Sequence, residues 1–433
     1  MRRQAGAFAA FLCLLLLLVP GCGLNSADRS GGPVHVEVWS MWSGDEEHDF
    51  EDVLAYYNKT HPGVLLENLG AVDDPKTIRA IVAAAPPDLC TLAEPNYLGA
   101  LAANKALQPL DDRFQAAGLK AADYTPSSLE QCRYNGHLYA IPYLLDCTAL
   151  LYNKDVFKAA GLDPDKPPRT LEEMEADAQK ITQHDAQGQL TRLGMRPPDA
   201  ITLMALYGGG FLDPKTGQAT ADNPRNIEAA AFDKSLMDAQ GGYEEVQSFS
   251  QGFGSEMGSF NPFFLGQIGM TFGGQWNTYW AYHYSPKTHY GIAPLPYPAA
   301  YPRQAGTVWL GSNPFCIPRG AKHSKEAWDF LVWSQTPDGQ RRFAMSLHGI
   351  PNIRASLRDP ALRTGEPWRP RYGQFMDLAD SPNATFFPPM PVATLYQGEL
   401  INAVDSVCYG HRSPSEALKA VQARVQREVS EYQ

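Results

Sequence analysis

Several tryptophans stand in the sequence where a strand pattern gives way to a loop. Trp276 follows a Gly-Gly pair directly after an alternating strand, Trp42 follows the first strand pattern, and Trp309 lies beside Gly311. Indole rings cover flat apolar faces at little cost in conformational entropy, and carboxylates make strong hydrogen bonds to hydroxyl groups. Such rings beside acidic or amide side chains would suit a ligand that has both flat faces and hydroxyls. A position in the core is the alternative for each ring.

The motifs of several common enzyme classes are absent. The chain contains no G-x-S-x-G, H-E-x-x-H, P-loop or G-x-G-x-x-G sequence. Its 10 His are dispersed without metal-ligand spacing, so we predict neither a metal site nor another cofactor. The 47 carboxylates offer many acid pairs, and sequence alone cannot place two of them across a glycosidic bond.

Length and charge limit the possible functions further. The chain has 433 residues, which favours two domains, and 44% of them are hydrophobic, which is enough for a sizeable core. The 36 Lys and Arg against 47 Asp and Glu give a formal net charge of −11. A protein this acidic repels phosphate groups, so we expect no binding to nucleic acid.

The N-terminus has the features of an export signal. Arg2 and Arg3 precede an apolar run that is shorter than the roughly 20 residues needed to span a bilayer. The sequence LVPGC ends at Cys22 and resembles a bacterial lipobox, although Pro20 is unusual inside such a motif. We predict a signal peptide over residues 1–21, a lipidated Cys22 and a polar tether over residues 22–33. An ordinary secretory signal is the alternative.

Hydrophobic spacing predicts the elements that must position these side chains. Residues 34–39 alternate as in a strand, residues 45–60 carry the i, i+3, i+4, i+7 pattern of an amphipathic helix, and residues 64–67 form the next strand. This strand–helix–strand opening indicates a parallel α/β sheet. An Asn-Gly pair predicts a hairpin over residues 134–141, and residues 413–416 predict a capping box at the start of the last helix.

The cysteines do not form the regular pattern of a disulfide-rich scaffold. Besides Cys22, an odd and scattered set of five remains after the predicted signal peptide. Cys132 and Cys147 flank the predicted hairpin and could pair, and buried free thiols are the alternative.

Several short segments occur in a fixed order along residues 33–433. They are residues 39–44 (WSMWSG), 87–89 (PDL), 135–142 (NGHLYAIP), 150–157 (LLYNKDVF), 170–173 (TLEE), 208–211 (GGGF), 264–271 (FLGQIGMT), 274–276 (GQW) and 290–296 (YGIAPLP). Together they resemble the family 1 extracellular solute-binding proteins of ABC importers, the group that includes maltose-binding protein. No single segment is decisive, and the resemblance rests on their order and on the lipobox.

The resemblance implies an α/β fold of the two-lobed periplasmic-binding-protein type (type II), with a ligand cleft between lobes joined by crossing strands. The chain would cross near residues 147–151, return near Ile292 and cross again after the helix that ends near Ser334. The N-terminal lobe would then comprise residues 34–148 and 292–335. The C-terminal lobe would comprise residues 149–291 and 336–433.

The resemblance also implies ligand-contacting positions. Trp276 matches the family's ligand-stacking Trp, and Asp146 falls where the family has a ligand-contacting acid. Asp45 and Glu94 lie in the two ligand loops of the N-terminal lobe, although either could instead cap a helix. The full set of predicted ligand contacts is Trp42, Asp45, Glu94, Asp146, Asp199, Trp276, Trp309, Gly311 and Tyr396.

The function implied by the resemblance is that of a substrate-binding lipoprotein of an ABC importer. It would capture a mono- or oligosaccharide in its cleft, act as a monomer without catalysis, and deliver the sugar to membrane permease subunits. It would be exported and held at the periplasmic or extracellular face of the membrane by its lipid. A binding protein for a non-sugar solute and an exported carbohydrate-active enzyme are the alternatives.

Overall fold

The fold is taken from a computed structural model that describes residues 32–92, 95–253 and 258–432. The predicted signal peptide, Cys22, most of the predicted tether and Glu94 lie outside these residues. Within the three described ranges, no helix combines the length and the apolar character needed to cross a membrane.

The strands occupy short stretches throughout the described chain. In chain order they are β1 (Val34–Trp39), β2 (Val64–Leu69), β3 (Leu89–Thr91), β4 (Arg133–Tyr134), β5 (His137–Leu138), β6 (Ala140–Asn153), β7 (Gln183–His184), β8 (Leu190–Met195), β9 (Ile268–Gly274), β10 (Tyr290–Ala293), β11 (Val308–Cys316) and β12 (Ala384–Thr385).

The helices separate these strands and fill the C-terminal quarter of the chain. In chain order they are α1 (Asp45–Thr60), α2 (Asp74–Val82), α3 (Asn96–Ala103), α4 (Asp111–Ala116), α5 (Lys154–Ala159), α6 (Leu171–Ile181), α7 (Ala200–Tyr207), α8 (Pro224–Asp238), α9 (Tyr243–Gln251), α10 (Trp276–Tyr284), α11 (Ser324–Ser334), α12 (Pro337–Leu347), α13 (Pro360–Arg363), α14 (Arg369–Ala379), α15 (Ala393–Cys408) and α16 (Pro414–Ser430).

A single long strand joins the two halves of the main sheet. The sheet order is β2-β1-β3-β11-β6-β9-β8-β7, with β10 paired to β6 and β12 paired to β11. Strand β6 pairs with β11 through residues 140–147 and with β9 through residues 148–152. The chain therefore passes from one half of the sheet to the other between Cys147 and Thr148, inside the predicted crossing at residues 147–151.

The local sequence signals are confirmed where they are strongest. Strand β1 and helix α1 have the predicted bounds, and strands β4 and β5 form the predicted hairpin. The capping box is present in full, because Ser413 and Glu416 each bond the other's backbone N–H. Cys132 and Cys147 are free and buried, which answers the question that the sequence leaves open.

Two separate hydrophobic cores lie on either side of the crossing. The first contains β1, β3, β11 and the first half of β6, and it is rich in rings such as Phe50, Tyr143 and Phe315. The second contains α6, α7, α8, α15 and α16 around β8 and β9. Each half of the sheet therefore has its own core, which accounts for the two lobes of the α/β fold.

The predicted lobe boundaries differ from the packing in the C-terminal part of the chain. Helices α12 and α14 lie in the first core, although residues 336–433 were expected to form part of the C-terminal lobe. Phe343 of α12, for example, packs 5.0 Å from Tyr143 and 6.3 Å from Phe50, measured between ring centroids. Near the predicted return at Ile292 the two cores meet, because Ile292 packs against the first core while Ala293 and Leu295 belong to the second.

Candidate functional site

The carboxylate of Asp146 lies at the point where β6 changes partners. Its Oδ1 accepts a hydrogen bond from Gln275 Nε2 at 2.8 Å, and its Oδ2 accepts one from Asn313 Nδ2 at 3.1 Å. Gln275 is itself fixed, because its Oε1 accepts from the Cys147 backbone N–H at 2.9 Å. Asp146 is half-buried. Two amides thus orient a carboxylate that still has lone pairs for a further donor.

The charges around Asp146 are acidic. Burial raises the pKa of Asp146, and the hydrogen bonds from Gln275 and Asn313 partly oppose that rise. Burial also raises the pKa of Glu46, in the first turn of α1, with further contributions from Asp146 and Asp49. Such carboxylates favour hydroxyl or cationic donors and repel phosphate.

Trp276 begins helix α10 directly beyond the end of β9. Its indole ring is half-exposed and lies over Gly274, where an added Cβ would overlap the ring. The ring of Trp280, one turn later, has its centroid 6.2 Å from that of Trp276. Because Gln275 bonds Asp146, the same turn that presents the indole also fixes the carboxylate.

The acidic first turn of α1 lies near the aromatic helix α10. The pKa of Tyr279 is raised mainly by burial and also by the charges of Asp49 and Asp45. Asp45 is exposed at the first position of α1. Aromatic and acidic side chains from distant parts of the sequence therefore converge on one region.

Strand β11 also contributes residues to this region, beside β6, α10 and the first turn of α1. Gly311 pairs directly with Asp146 across the β6–β11 ladder, and a Cβ at Gly311 would lie 3.7 Å from the Asp146 Cβ. Trp309 is two residues earlier on the same strand face and is half-buried. The structure therefore places Gly311 directly beside Asp146, with Trp309 two residues away on the same strand.

Two predicted ligand contacts have little surface to offer. Tyr396 is 0% exposed in the second core, so the prediction that it contacts ligand is wrong for this structure. Trp42 is 9% exposed in the first core, and its Nε1 donates to the Tyr143 hydroxyl at 3.1 Å. In both cases the aromatic ring fills a core position.

Asp199 has a structural role that its sequence position did not reveal. Its carboxylate accepts a hydrogen bond from the Thr202 backbone N–H at 2.8 Å and caps the N-terminus of α7. Among the described residues, its side-chain hydrogen bond goes to this helix N-terminus and to neither Asp146 nor Trp276. Glu94, the remaining predicted contact, lies outside the described residues.

Sequence reasoning missed several side chains that complete the site. They are Glu46, Gln275, Tyr279, Trp280 and Asn313. Each had a local signal, because Gln275 adjoins Trp276, Tyr279 and Trp280 follow it at helical spacing, and Asn313 continues the alternation of Trp309 and Gly311. The first-turn position of Glu46 beside Asp45 was the corresponding signal in α1.

The described residues of this region are suited to binding a ligand. In the part of the chain that the structure describes, no three His, Cys, Asp or Glu side chains are placed to hold a metal ion. Burial raises the pKa of the Cys132 thiol to about 12, so this cysteine is no ready nucleophile. What remains is a set of fixed acceptors beside exposed aromatic rings.

Comparison with known proteins decides the family. The model of the bacterial extracellular solute-binding proteins matches residues 44–341, well over half of the chain. The chain belongs to this family. Membership confirms the expectation of an extracellular solute-binding protein and agrees with the order of the segments noted in the sequence.

Known relatives extend over most of this family member. The maltotriose-binding protein of Pyrococcus abyssi is 24% identical over 410 residues, which is 92% of this chain and 82% of that protein. The arabinooligosaccharide-binding protein of Bacillus subtilis is 21% identical over 369 residues, or 82% of this chain and 81% of that protein.

Solved structures of similar proteins confirm the two-lobed fold. CpMnBP1 with mannotriose bound has a TM-score of 0.78 at 25% identity, covering 90% of this solute-binding protein and 99% of that chain. The GacH receptor of Streptomyces glaucescens has a TM-score of 0.73 at 20% identity, covering 93% and 100% respectively. The latter likeness concerns the fold alone.

Proposed function

We propose that this solute-binding protein captures a sugar between its two lobes and delivers it to the permease of an ABC importer. Asp146 carries the proposal, because Gln275 and Asn313 orient its carboxylate beside the half-exposed indole of Trp276. An indole covers the flat face of a sugar ring, and a fixed carboxylate accepts hydrogen bonds from its hydroxyl groups. The sugar ligands in the names of the relatives support the same class of solute.

A ligand-induced gain in stability tests the proposal. Bound sugar stabilises the folded protein by RT ln(1 + [L]/Kd), so a screen of mono- and oligosaccharides should raise the melting temperature for a subset of them. Calorimetry on that subset should return a single site per chain. Stabilisation by polyamines or amino acids, with none by sugars, would contradict the proposal and favour a non-sugar solute.

The same samples test whether the protein acts on its ligand. We propose that it binds without catalysis, because the site lacks an assembled nucleophile or metal among the described residues. Prolonged incubation with each stabilising oligosaccharide should leave its length unchanged when the products are separated by chromatography. Appearance of shorter sugars in proportion to protein concentration would instead indicate a carbohydrate-active enzyme.

Anchoring by a lipid on Cys22 is the second part of the proposal. It would hold the binding protein near its permease and raise its effective concentration there. Mass spectrometry of protein from the membrane fraction should find a diacylglyceryl group on Cys22 and no residues 1–21. The variant Cys22→Ala should lose the lipid and leave the membrane fraction. Retention of the variant there without lipid would contradict the proposal.

Delivery is expected to involve a monomer in a closed state. A ligand that contacts both lobes favours closure because only the closed state completes those contacts. Light scattering should report one chain per particle with and without sugar. Sugar-dependent stimulation of ATP hydrolysis by the reconstituted importer would support permease docking, and stimulation without sugar would argue against closure as the signal.

A further inference from the structure

Two cysteines face each other within the sheet of the first lobe. Cys90, at the centre of β3, pairs directly with Cys316, the last residue of β11, in an antiparallel ladder. The Cys90 Sγ donates to the Cys316 carbonyl oxygen at 3.6 Å. Residues directly opposite in such a ladder have Cα atoms about 4.5–5.5 Å apart, within the range of about 4.4–6.8 Å that a disulfide spans. The two strands therefore already have the spacing that a disulfide needs.

Two other thiols of the first core are placed less favourably for a bond to Cys316. The Cys132 Sγ lies 3.9 Å from the Ser312 Oγ. Ser312 precedes Cys316 by four residues on β11, a separation of about 13 Å along a strand. Cys147 pairs with a residue still farther back on β11. The ladder therefore selects Cys90 as the partner of Cys316.

Both thiols are closed off from solvent in the folded chain. Cys90 and Cys316 are each 0% exposed. Burial raises the pKa of the Cys316 thiol well above its ordinary value, so little of the reactive thiolate exists at neutral pH. An oxidant must therefore reach the pair before β3 and β11 have packed together. The redox state of the pair is then set during folding and is protected afterwards.

The compartment in which the chain folds determines that state. The family to which the chain belongs consists of extracellular proteins. Disulfides form and persist outside the cytosol, whereas the cytosol keeps thiols reduced. A chain that folds after export meets oxidising conditions while both thiols are still accessible.

We propose that Cys90 and Cys316 form a disulfide when the exported chain folds in the presence of a disulfide oxidant. One cysteine thiolate attacks a sulfur of the oxidant's disulfide, which forms a mixed disulfide and releases one oxidant thiolate. The second cysteine thiolate attacks the mixed disulfide, so the Cys90–Cys316 bond forms and the second oxidant thiolate leaves. The two cysteines lose two protons and two electrons, and the oxidant's disulfide is reduced to two thiols. The structure, with both thiols free, is the reduced form.

The bond would close a long loop of the chain. Cys90 and Cys316 are 226 residues apart in sequence, and the second half of β6 lies between them together with β8 and β9. Closing a loop of this length restricts the unfolded chain, which stabilises the folded state. The ladder already fixes the two strands in the reduced form, so the bond should change stability far more than sugar affinity. The inference goes beyond sugar capture and does not depend on it.

Peptide mapping tests the inference. One sample is the full chain after export, and the other is the chain made in the cytosol without residues 1–22. Free thiols are blocked with iodoacetamide in urea without reductant, and the peptides are identified by mass spectrometry. In the exported chain we expect Cys90 linked to Cys316, with Cys132, Cys147 and Cys408 blocked. In the cytosolic chain all five thiols should be blocked. Blocked Cys90 and Cys316 in the exported chain, or a link from either to another cysteine, would overturn the inference.

Refolding separates oxidation from export. The cytosolic chain is unfolded in urea and refolded with oxidised glutathione in one sample and with reduced glutathione in the other. We expect the linked pair only in the first sample, with a melting temperature higher by about 5 °C. A chain that refolds in oxidised glutathione with all five thiols free, or a link that leaves the melting temperature unchanged, would contradict the proposal.

Matched alanine variants assign the stabilisation to this pair. Cys90→Ala and Cys316→Ala should each abolish the link and the difference in melting temperature between the two refolded samples. Cys132→Ala, the same truncation at another buried thiol of the first core, should keep both. Persistence of the difference in Cys90→Ala, or its loss in Cys132→Ala, would overturn the assignment. The comparison of the two redox states of the native chain still decides the question if a variant does not fold.

Discussion

Trp276 and Tyr396 have the same predicted role and opposite surroundings. Trp276 is half-exposed beside the turn that fixes Asp146, whereas Tyr396 is 0% exposed within the second core. Trp276→Ala should therefore weaken sugar binding at least about tenfold, since an aromatic ring on a sugar face is worth on the order of 1–3 kcal/mol. Calorimetry with the tightest sugar of the screen measures this change.

Tyr396→Phe is the matched control for Trp276→Ala. The Tyr396 hydroxyl is buried and, among the described residues, lacks a hydrogen bond of good geometry, so its removal should cost little and leave both affinity and fold intact. A large loss of affinity in Tyr396→Phe, or none in Trp276→Ala, would show that the indole is not the stacking surface.

Asp146 makes sugar affinity depend on pH. Burial raises its pKa above the ordinary 3.8, and burial with the charges of Asp146 and Asp49 raises the pKa of Glu46 above 4.5. The ionised carboxylate is the better acceptor for a sugar hydroxyl, so affinity should fall as pH falls through these raised values. Calorimetry from about pH 7 down to about pH 4.5 would follow the loss.

Removal of the titrating group checks the assignment. Asp146→Asn should bind more weakly at neutral pH and show a smaller further loss on acidification, because one of the titrating carboxylates near the ligand is then absent. An affinity that rises on acidification in the native protein, or an undiminished pH dependence in Asp146→Asn, would contradict it.

At the scale of single elements, helix α8 carries a buried carboxylate, that of Asp233, which lowers the free energy of unfolding at high pH. Asp233 is 4% exposed, and burial, with the charges of Asp405 and Asp199, raises its pKa from 3.8 to about 7. A raised folded-state pKa stabilises the fold fully below 3.8 and progressively less as pH rises to about 7. Each unit of difference between the folded and unfolded pKa corresponds to about 1.4 kcal/mol, so the free energy of unfolding falls by roughly 4 kcal/mol over this pH range.

Asp233→Asn should therefore raise the melting temperature at about pH 8 and have much less effect at about pH 5. The amide keeps the volume of the side chain and removes the buried charge. Asp238→Asn is the control on the same helix, because Asp238 is exposed and its ion-pair partner among the described residues is Lys234, at 2.9 Å. Equal stabilisation of Asp233→Asn at both pH values would contradict the raised pKa.

The elements predicted best are those whose signals are local. Alternating hydrophobic residues predict β1, hydrophobic residues at helical spacing predict α1, and the capping box predicts the start of α16. Each of these signals depends only on neighbours in sequence. Strand β6 was located by resemblance, and its change of partners at Cys147 and Thr148 follows the predicted crossing.

What the sequence could not predict is which surface each apolar face covers. Helix α12 has an ordinary amphipathic pattern, which gives no information about whether it packs on the first or the second core. The same limit explains Tyr396, whose position near a family aromatic could not reveal its burial. It also explains Gln275 and Asn313, since their meeting at Asp146 depends on pairing between strands far apart in sequence.

At the scale of the whole molecule, the two lobes also meet between α3 and α15. Asn96 Nδ2 donates to Gln397 Oε1 at 2.7 Å, and Gln397 Nε2 donates back to Asn96 Oδ1 at 3.0 Å. Asn96 follows β3 at the same edge of the sheet at which Trp42 follows β1, which is where ligands bind in α/β sheets. The reciprocal pair therefore holds the lobes together on the cleft side.

Gln397→Ala should favour the open state. Without the pair, the closed state loses two hydrogen bonds that the open state satisfies with water, a difference of about 0.5–1.5 kcal/mol for each bond. Small-angle scattering should show a larger radius of gyration without sugar, and saturating sugar should restore the native value. Affinity should fall by a similar factor for every sugar that binds.

Gly99 allows a stronger test of lobe contact. A Cβ at this position would overlap the backbone of Met390, and neither side can relieve the clash by rotating a side chain. Gly99 is buried on α3, while Met390 belongs to the second core, so the lobes would have to separate to admit even one methyl group. Gly99→Ala should thus give a larger radius of gyration than Gln397→Ala and a greater loss of affinity. Because the added methyl group blocks the approach of the lobes sterically, saturating sugar should restore the compact form only in part. A native radius of gyration at saturating sugar would show that this contact is not required for closure.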